Sequence, residues 1–229
     1  MNLQLVSPYK TCPFKCPFCC AAVDRDYPWK DNLYETNKAE YFQRLLSAIA
    51  DNDIQTVVVT GDTEPTLFED WLSECAGFIR AFFPSVKIEL QTKNYNTKVF
   101  DIDRVRYSIA NPEDFYRACC ANKYNCSKIG FTYLLSCKLT AKDIMKCRSF
   151  ISEEPGIQHT VKVLQYSPTG NLDIDTWIKN NTSEIIDSNR VSFKELGIWL
   201  DENCMDTEGR YIIFRIDGKV YKDWAELPA

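Results

Sequence analysis

Short apolar runs alternate with longer amphipathic stretches along most of the chain. The apolar runs are rich in β-branched residues, which is typical of buried strands. In the stretches between them, apolar residues recur every three or four positions, which predicts helices that bury one face. The predicted strands cover residues 3–9, 54–61, 86–92, 104–110, 128–135 and 159–166, and the predicted helices cover residues 37–53, 66–83, 112–121, 140–151 and 173–181.

This alternation of strand and helix predicts an α/β fold with a parallel sheet. We count about six strand–helix units, fewer than the eight of a closed (β/α)8 barrel. In the helix over 37–53 we expect a buried stripe that consists of Tyr41, Leu45, Leu46 and Ile49. The pattern therefore favours a parallel sheet that is covered by helices and does not close.

The last part of the chain has a different pattern. Within residues 211–224, Asp217 and Gly218 lie between two apolar runs, which is a strong short-range signal for a β-hairpin. Because an open sheet needs a covered edge, we expect this hairpin to close the open side of the sheet. The sequence has no internal repeat, low-complexity segment or linker, so we expect a single domain over residues 1–229.

Composition and charge narrow the class of protein. Hydrophobic residues make up 45% of the chain and charged residues 26%, as in an ordinary globular protein. The net charge is −5, and no cluster of Lys and Arg stands out, which argues against a partner that is a nucleic-acid polymer. No apolar run reaches the roughly 18 residues of a membrane span, and the N-terminus lacks the layout of a signal peptide. We therefore expect a cytoplasmic protein that makes no membrane contact.

The cysteines carry the clearest chemical signal. The chain has 11 cysteines, an odd number that cannot all pair, and in a reducing compartment they indicate metal binding or catalysis. Cys12, Cys16 and Cys19 follow the first predicted strand with the spacing C-x3-C-x2-C. Three thiolates on one loop can hold three irons of a [4Fe–4S] cluster and leave the fourth iron open. Cys20 does not fit the spacing, and we expect it to pack behind the loop.

Two other interpretations of the cysteine loop remain open. A structural zinc site normally adds a second C-x2-C pair or a Cys and His pair, and the single histidine, His159, lies far away in the sequence. The thiols can also be inert buried side chains, although three at this spacing argue against it. The looser set Cys119, Cys120, Cys126 and Cys137 is a weaker candidate for an auxiliary iron site.

The cysteine loop, with the aromatic Phe18 before its third cysteine, resembles the signature of the radical S-adenosylmethionine (radical SAM) superfamily. A second motif of that superfamily has a counterpart after the second predicted strand. The stretch VTGDTEPTL at 59–67 is similar to a Gly-x-Gly-Glu-Pro-Thr form of that superfamily's Gly-Gly-Glu motif. Thr63 replaces the glycine before Glu64, which predicts an altered backbone there because glycine tolerates a positive φ. Taken alone, the stretch also fits a strand followed by a capped helix.

The resemblance implies a fold and a set of site residues. It covers roughly residues 1–170 as a core, leaving 171–229 as a helix and hairpin extension, and implies a partial (β/α)6 barrel. The implied cofactors are a [4Fe–4S] cluster and S-adenosylmethionine, bound at the carboxyl ends of the strands. The metal ligands would be Cys12, Cys16 and Cys19, and the cofactor-binding residues would be Phe18, Gly61, Asp62, Thr63, Glu64, Gln91, Thr92, Asn94, Ser108, Gln165 and Tyr166. Glu64 is expected to brace its loop rather than to donate a proton.

The implied activity is reductive cleavage of S-adenosylmethionine, followed by hydrogen abstraction from a substrate. An external donor such as flavodoxin or ferredoxin would supply the electron. Because 229 residues leave no room for a large recognition domain, we expect a small nucleotide-like or amino-acid substrate, or a short peptide. The alternatives are a glycyl-radical-enzyme activase, and a non-catalytic iron–sulfur electron carrier or zinc-stabilised binding module, which would need four protein ligands.

Overall fold

The computed structural model describes residues 1–8, 11–14, 16–19, 31–61, 63–96, 101–121, 129–151, 156–162, 170–201 and 211–222. The strands are β1 (Asn2–Ser7), β2 (Thr56–Gly61), β3 (Lys87–Thr92), β4 (Arg104–Ile109), β5 (Ile129–Leu134), β6 (Gln158–Lys162), β7 (Ile198–Asp201), β8 (Tyr211–Phe214) and β9 (Val220–Tyr221). The helices are α1 (Leu33–Thr36), α2 (Lys38–Asp51), α3 (Glu69–Phe82), α4 (Pro112–Ala121), α5 (Ala141–Phe150) and α6 (Leu172–Glu195).

The nine described strands form one sheet in the order β7-β6-β5-β4-β3-β2-β1-β8-β9. All neighbouring strands are parallel except β8 and β9, which are antiparallel. The prediction of an α/β fold with a parallel sheet is therefore confirmed. Besides the six predicted strands, the sheet contains β8 and β9 of the predicted hairpin and one strand that was not predicted, β7. Strands from both 1–170 and 171–229 belong to this sheet.

Helix starts agree with the capping signals in the sequence. Helix α5 begins after Thr140, whose side chain and that of Asp143 form a capping box. Helix α4 begins at Pro112, as predicted. Helix α3 begins at Glu69 instead of residue 66, because Pro65–Leu67 form a separate turn of 3-10 helix.

Helix α6 is much longer than the predicted 173–181. It runs over 24 residues, from an N-cap at Asn171 almost to Gly197, which has a φ of +65°. No proline or glycine interrupts the sequence between these two points, so the helix continues to the first residue that readily ends it. None of the helices in the described part of the chain combines the length and the apolar character that crossing a membrane requires.

One face of the sheet is apolar and packs against the helices. Near β1, β2 and β3, this core includes the buried residues of α2 and α3; near β4, β5 and β6, it includes those of α4, α5 and α6. Tyr41, Leu45 and Ile49 of the predicted stripe are buried, whereas Leu46 is only partly buried and Phe42 takes its place. The helices of the two core clusters therefore cover this one face.

The opposite face of the sheet is largely polar. It borders a cavity of about 520 Å³. All eight parallel strands contribute to the lining, through Gln4, Val58, Glu89, Arg106, Thr132, Thr160, Trp199 and Tyr211 among others. Because successive side chains of a strand point to opposite faces, the polar positions of the alternating pattern are the ones that line this cavity.

The predicted C-terminal hairpin is confirmed. Strands β8 and β9 pair around Asp217 and Gly218, and Gly218 has a φ of +74°, which suits glycine. Asp217 accepts hydrogen bonds from the backbone N–H of Lys219 (3.0 Å) and the hydroxyl of Tyr221 (2.6 Å). Since β8 pairs with β1, the hairpin covers the edge that β1 would otherwise expose.

Candidate functional site

The segments that carry both motifs meet at one edge of the sheet. Strands β1, β2 and β3 are parallel neighbours, so their carboxyl ends lie side by side. The cysteine loop follows β1, the segment 63–66 follows β2, and the segment 93–96 follows β3. Asp62, Gln165 and Tyr166, which the sequence also predicted as site residues, lie outside the described residues.

Ser7 and Gly61 end their strands as direct partners in the sheet register. A Cβ atom on Gly61 would overlap Ser7 Oγ and would lie 3.1 Å from the carbonyl oxygen of Thr63, so this position requires glycine. Ser7 is 3% exposed, and its hydroxyl has no hydrogen-bond partner among the described residues. A buried hydroxyl without a partner is costly unless something else satisfies it, which makes Ser7 Oγ a candidate contact for a bound ligand.

Glu64 ties the segment after β2 to the segment after β3. Its buried carboxylate accepts hydrogen bonds from the backbone N–H (3.2 Å) and the hydroxyl (2.9 Å) of Thr66. It also accepts from the hydroxyl of Thr92 (2.6 Å) and the backbone N–H of Lys93 (3.0 Å). With four donors already bound, this carboxylate fits the expected bracing role better than a role in proton transfer.

Thr63 occupies the position of the superfamily's glycine without backbone strain. The only non-glycine residues with a positive φ in the described ranges are Asp53 and Asp101. Thr63 is 8% exposed and lies directly before the buried Glu64. The backbone of Thr63 itself is therefore not left-handed, which is why threonine is tolerated at this position.

The remaining predicted residues, on β3, directly after it and on β4, lie in three places. Thr92 and Asn94 belong to the network around Glu64, since Thr92 Oγ1 accepts from the backbone N–H of Asn94 (2.8 Å) and Asn94 Nδ2 donates to Thr66 Oγ1 (3.1 Å). Gln91 instead lines the cavity on the polar face. The carbonyl oxygen of Ser108 accepts a hydrogen bond from the hydroxyl of Tyr95 (3.2 Å).

The three predicted metal ligands are partly buried and act on one another electrostatically. Cys16 and Cys19 are joined by a turn, in which the N–H of Cys19 donates to the carbonyl oxygen of Cys16 (3.2 Å). Burial, with smaller contributions from Cys19, Cys12 and Asp114, raises the pKa of the Cys16 thiol to about 11 against the lowering effect of the Lys93 ammonium. Three thiols on one loop have the donor chemistry of an iron–sulfur site.

The arrangement of these thiols is not yet that of a metal site. In the part of the chain that the structure describes, no group of three or more His, Cys, Asp or Glu side chains is placed to hold a metal ion. The binding of a cluster by Cys12, Cys16 and Cys19 would therefore require their side chains to move together. The assignment of these three residues as ligands stays a prediction.

Lys93 and Asp114 are site residues that the sequence did not single out. Lys93 Nζ lies 3.0 Å from Asp114 Oδ2 and 5.8 Å from the centroid of the Phe18 ring. The side chains of Lys93 and Asp114 are 18% and 8% exposed. Lys93 stands between Thr92 and Asn94, so its place in a polar segment after a strand was the available signal.

Some charged side chains that line the polar cavity bind one another, and others form no ion pair with a described residue. Arg106 binds both carboxylate oxygens of Glu89 (2.7 and 2.9 Å) and donates to Thr160 Oγ1 (2.7 Å), which links β4 to β3 and β6. Nearer the carboxyl ends, Lys162 and Asp201 also line the cavity. Neither of these two charged groups forms an ion pair within the described part of the chain.

The described cysteines outside the loop and the single histidine belong to other segments, whereas Cys20, which was expected to pack behind the loop, and Cys204 lie outside the described residues. Cys75 and Cys147 are buried in helices, as expected, whereas Cys119 is partly buried and Cys120 and Cys137 are exposed. Cys126 lies outside the described residues. His159 is 4% exposed on β6, and its Nδ1 lies 2.9 Å from the hydroxyl of Tyr133 on β5.

The comparisons with known proteins assign the chain to no family. No protein-family model matches the sequence, and no curated protein is significantly similar to it. The functional argument therefore rests on the residues themselves and on the edge of the sheet at which they meet.

Proposed function

We propose that the chain is a radical SAM enzyme that binds a [4Fe–4S] cluster through Cys12, Cys16 and Cys19. The observation that carries the proposal is the convergence of the two motif segments at the carboxyl ends of β1 and β2. The unpartnered hydroxyl of Ser7 and the required glycine at Gly61 lie at the same edge. The Ser7 hydroxyl gives this edge a hydrogen-bonding group that a bound ligand could satisfy, and Gly61 leaves room for that hydroxyl.

The order of the strands supports a partial barrel. In a flat sheet, β7 and β8 would be separated by seven strand spacings, about 34 Å in total. Residues of both strands nevertheless line one cavity of about 520 Å³. Curvature of the sheet around its polar face accounts for this, and it would leave the seam open between β7 and the β8–β9 hairpin.

Different residues of the site would bind the cluster and fix the loops around it. Cys12, Cys16 and Cys19 would hold the cluster, which would supply, when bound, the single electron for reductive cleavage of S-adenosylmethionine that starts hydrogen abstraction from the substrate. Glu64, through its bonds to Thr66 and Thr92, fixes the loops on either side of the cofactor. The buried strand ends exclude water from the reacting groups.

The cavity on the polar face is the proposed place of the substrate, at its carboxyl end, where Gln91, Lys162 and Asp201 line it, rather than at its amino end, where Asn2, Thr56 and Lys87 line it. Its volume suits a small molecule, and its lining is rich in amide, hydroxyl and charged groups. Lys162 and Asp201 offer one cationic and one anionic contact. These features favour a small polar substrate of the nucleotide-like or amino-acid kind, with flavodoxin or ferredoxin as the reducing partner.

Anaerobic reconstitution tests the proposal. With iron and sulfide the protein is expected to become brown, and with S-adenosylmethionine and dithionite it is expected to form 5′-deoxyadenosine, detected by chromatography. Cys12→Ala, Cys16→Ala and Cys19→Ala should each abolish both results, because three thiolates are needed to hold the cluster.

The matched control is Cys147→Ala, which removes a thiol of α5 that belongs neither to the cysteine loop nor to the candidate auxiliary set, and it should change neither result. We also expect Cys20→Ala to be tolerated. Colourless protein that contains zinc would contradict the proposal, as would a cluster that depends on Cys20.

A further inference from the structure

Lys93 holds a fixed position between three parts of the site. Its backbone N–H donates to Glu64 Oε2 (3.0 Å), and its ammonium lies 3.0 Å from Asp114 Oδ2. The same ammonium lies 5.8 Å from the centroid of the Phe18 ring, within the range of a cation–π contact. Since the side chain is only 18% exposed, the charge is largely shielded from solvent.

The carboxylate partner of Lys93 is anchored from the opposite side. Asp114 Oδ2 also accepts from the backbone N–H of Ala110 (3.1 Å) and from Asn111 Nδ2 (3.2 Å). Asp114 stands in the first turn of α4, where a negative charge is stabilised by the helix dipole. These contacts hold the carboxylate in place, and its ion pair with Lys93 keeps the ammonium against the cysteine loop.

Of the Lys93–Asp114 pair, the ammonium is the group in contact with the cysteine loop, since it lies 5.8 Å from the centroid of the Phe18 ring. Cys16 and Phe18 both belong to the cysteine loop, so the loop faces the positive end of the Lys93–Asp114 pair. Shielding from water strengthens such a charge effect.

We propose that Lys93 is a positioning residue that raises the reduction potential of the cluster bound by the cysteine loop. The inference rests on the proposed function, because it requires that cluster. One electron passes from an external low-potential donor to the cluster and no proton is taken up, so the cluster gains one negative charge. A fixed ammonium next to the loop stabilises that additional charge, while Asp114 opposes it.

The test is a redox titration of the reconstituted full-length protein, followed by electron paramagnetic resonance. For Lys93→Gln we expect the ratio of reduced to oxidised cluster at a fixed potential to fall by roughly tenfold, which is about 59 mV for one electron. Lys93→Arg keeps the charge and should stay close to the wild type. Asp114→Asn removes the opposing charge and should shift the potential in the opposite direction.

Lys38→Gln is the matched control, because Lys38 also pairs with a carboxylate, that of Glu74 at 2.9 Å, but belongs to α2. It should leave the potential unchanged. Equal potentials for the wild type and Lys93→Gln would overturn the inference while leaving the proposed function intact. If the reduction potentials of Lys93→Gln and Asp114→Asn shift in the same direction, the ion pair acts only by holding the structure. That result would also overturn the inference.

Two further outcomes separate this inference from the proposal on which it rests. If Lys93→Gln fails to hold iron, the reduction potentials of the wild type, Lys93→Arg and Asp114→Asn still test the inference. An unchanged potential in Asp114→Asn would overturn it. If the wild type itself assembles no iron–sulfur cluster, the proposed function fails and the inference fails with it.

Discussion

The hydroxyl oxygen of Ser7 limits which residue can occupy the position of Gly61. The two residues are register partners at the ends of β2 and β1, and the Ser7 hydroxyl takes the space that a side chain on Gly61 would need. The requirement for glycine here is steric, since Gly61 is absent from the glycines with a positive φ. The sequence identified Gly61 through its motif, but it could not reveal that Ser7 was the reason.

Gly61→Ala should destabilise the fold by about 1–3 kcal/mol, because it forces overlap at a buried contact. Urea unfolding measures the change. Gly77→Ala is the control: Gly77 lies in α3, where an added Cβ would meet no neighbouring side chain within 4 Å, so alanine should stabilise the protein by about 0.5–1 kcal/mol.

Removal of the Ser7 hydroxyl should relieve part of the cost of Gly61→Ala. We therefore expect the double variant Ser7→Ala with Gly61→Ala to be more stable than the sum of the two single changes indicates. Strict additivity would contradict the proposed contact.

His159 makes folding stability depend on pH. Burial, assisted by the charge of Arg148, lowers the pKa of His159 from 6.5 to about 3 in the folded protein. Between these two values the unfolded chain binds the additional proton, so this contribution to stability is lost as the pH falls. The slope is at most about 1.4 kcal/mol per pH unit.

His159→Gln removes the titrating group, so its free energy of unfolding should depend less on pH than that of the wild type. Urea unfolding at about pH 7 and about pH 5 measures both slopes. Parallel slopes for the two proteins would show that His159 does not titrate as its burial requires.

For the helices and strands, the sequence predicted the starts and turns that depend on a few neighbouring residues. Thr140 and Pro112 identified the starts of α5 and α4, and the Asp217–Gly218 pair identified the hairpin, because caps and turns depend on a few neighbouring residues. Helix α6 was predicted too short, since its polar middle weakens the apolar pattern while its continuation depends on packing of residues such as Phe193.

At the candidate site too, the sequence predicted only features that lie within one short segment. The cysteine spacing and the Glu64 motif were visible in the sequence, because each lies within one short segment. Lys93 and Asp114 were not identified, since their relation spans 21 positions and exists only when β3 and α4 are folded. Glu64 likewise reaches across 28 positions to Thr92.

For the whole molecule, the sequence predicted the class of fold but not the full extent of the sheet. Strand β7 is only 4 residues long, which is too short for a clear alternating pattern. The parallel return of β8 to β1 is a long-range pairing that no local pattern specifies. Together these strands extend the polar face around the cavity that we propose for the substrate.

The most direct test of the account is whether S-adenosylmethionine binds an iron of the reduced cluster. Electron–nuclear double resonance on the reconstituted protein, with cofactor isotopically labelled at its amino nitrogen, measures this. We predict a coupling between the labelled nitrogen and the cluster, because three cysteines leave one iron for the cofactor. A cluster with a fourth protein ligand and no coupling to the label would contradict the account.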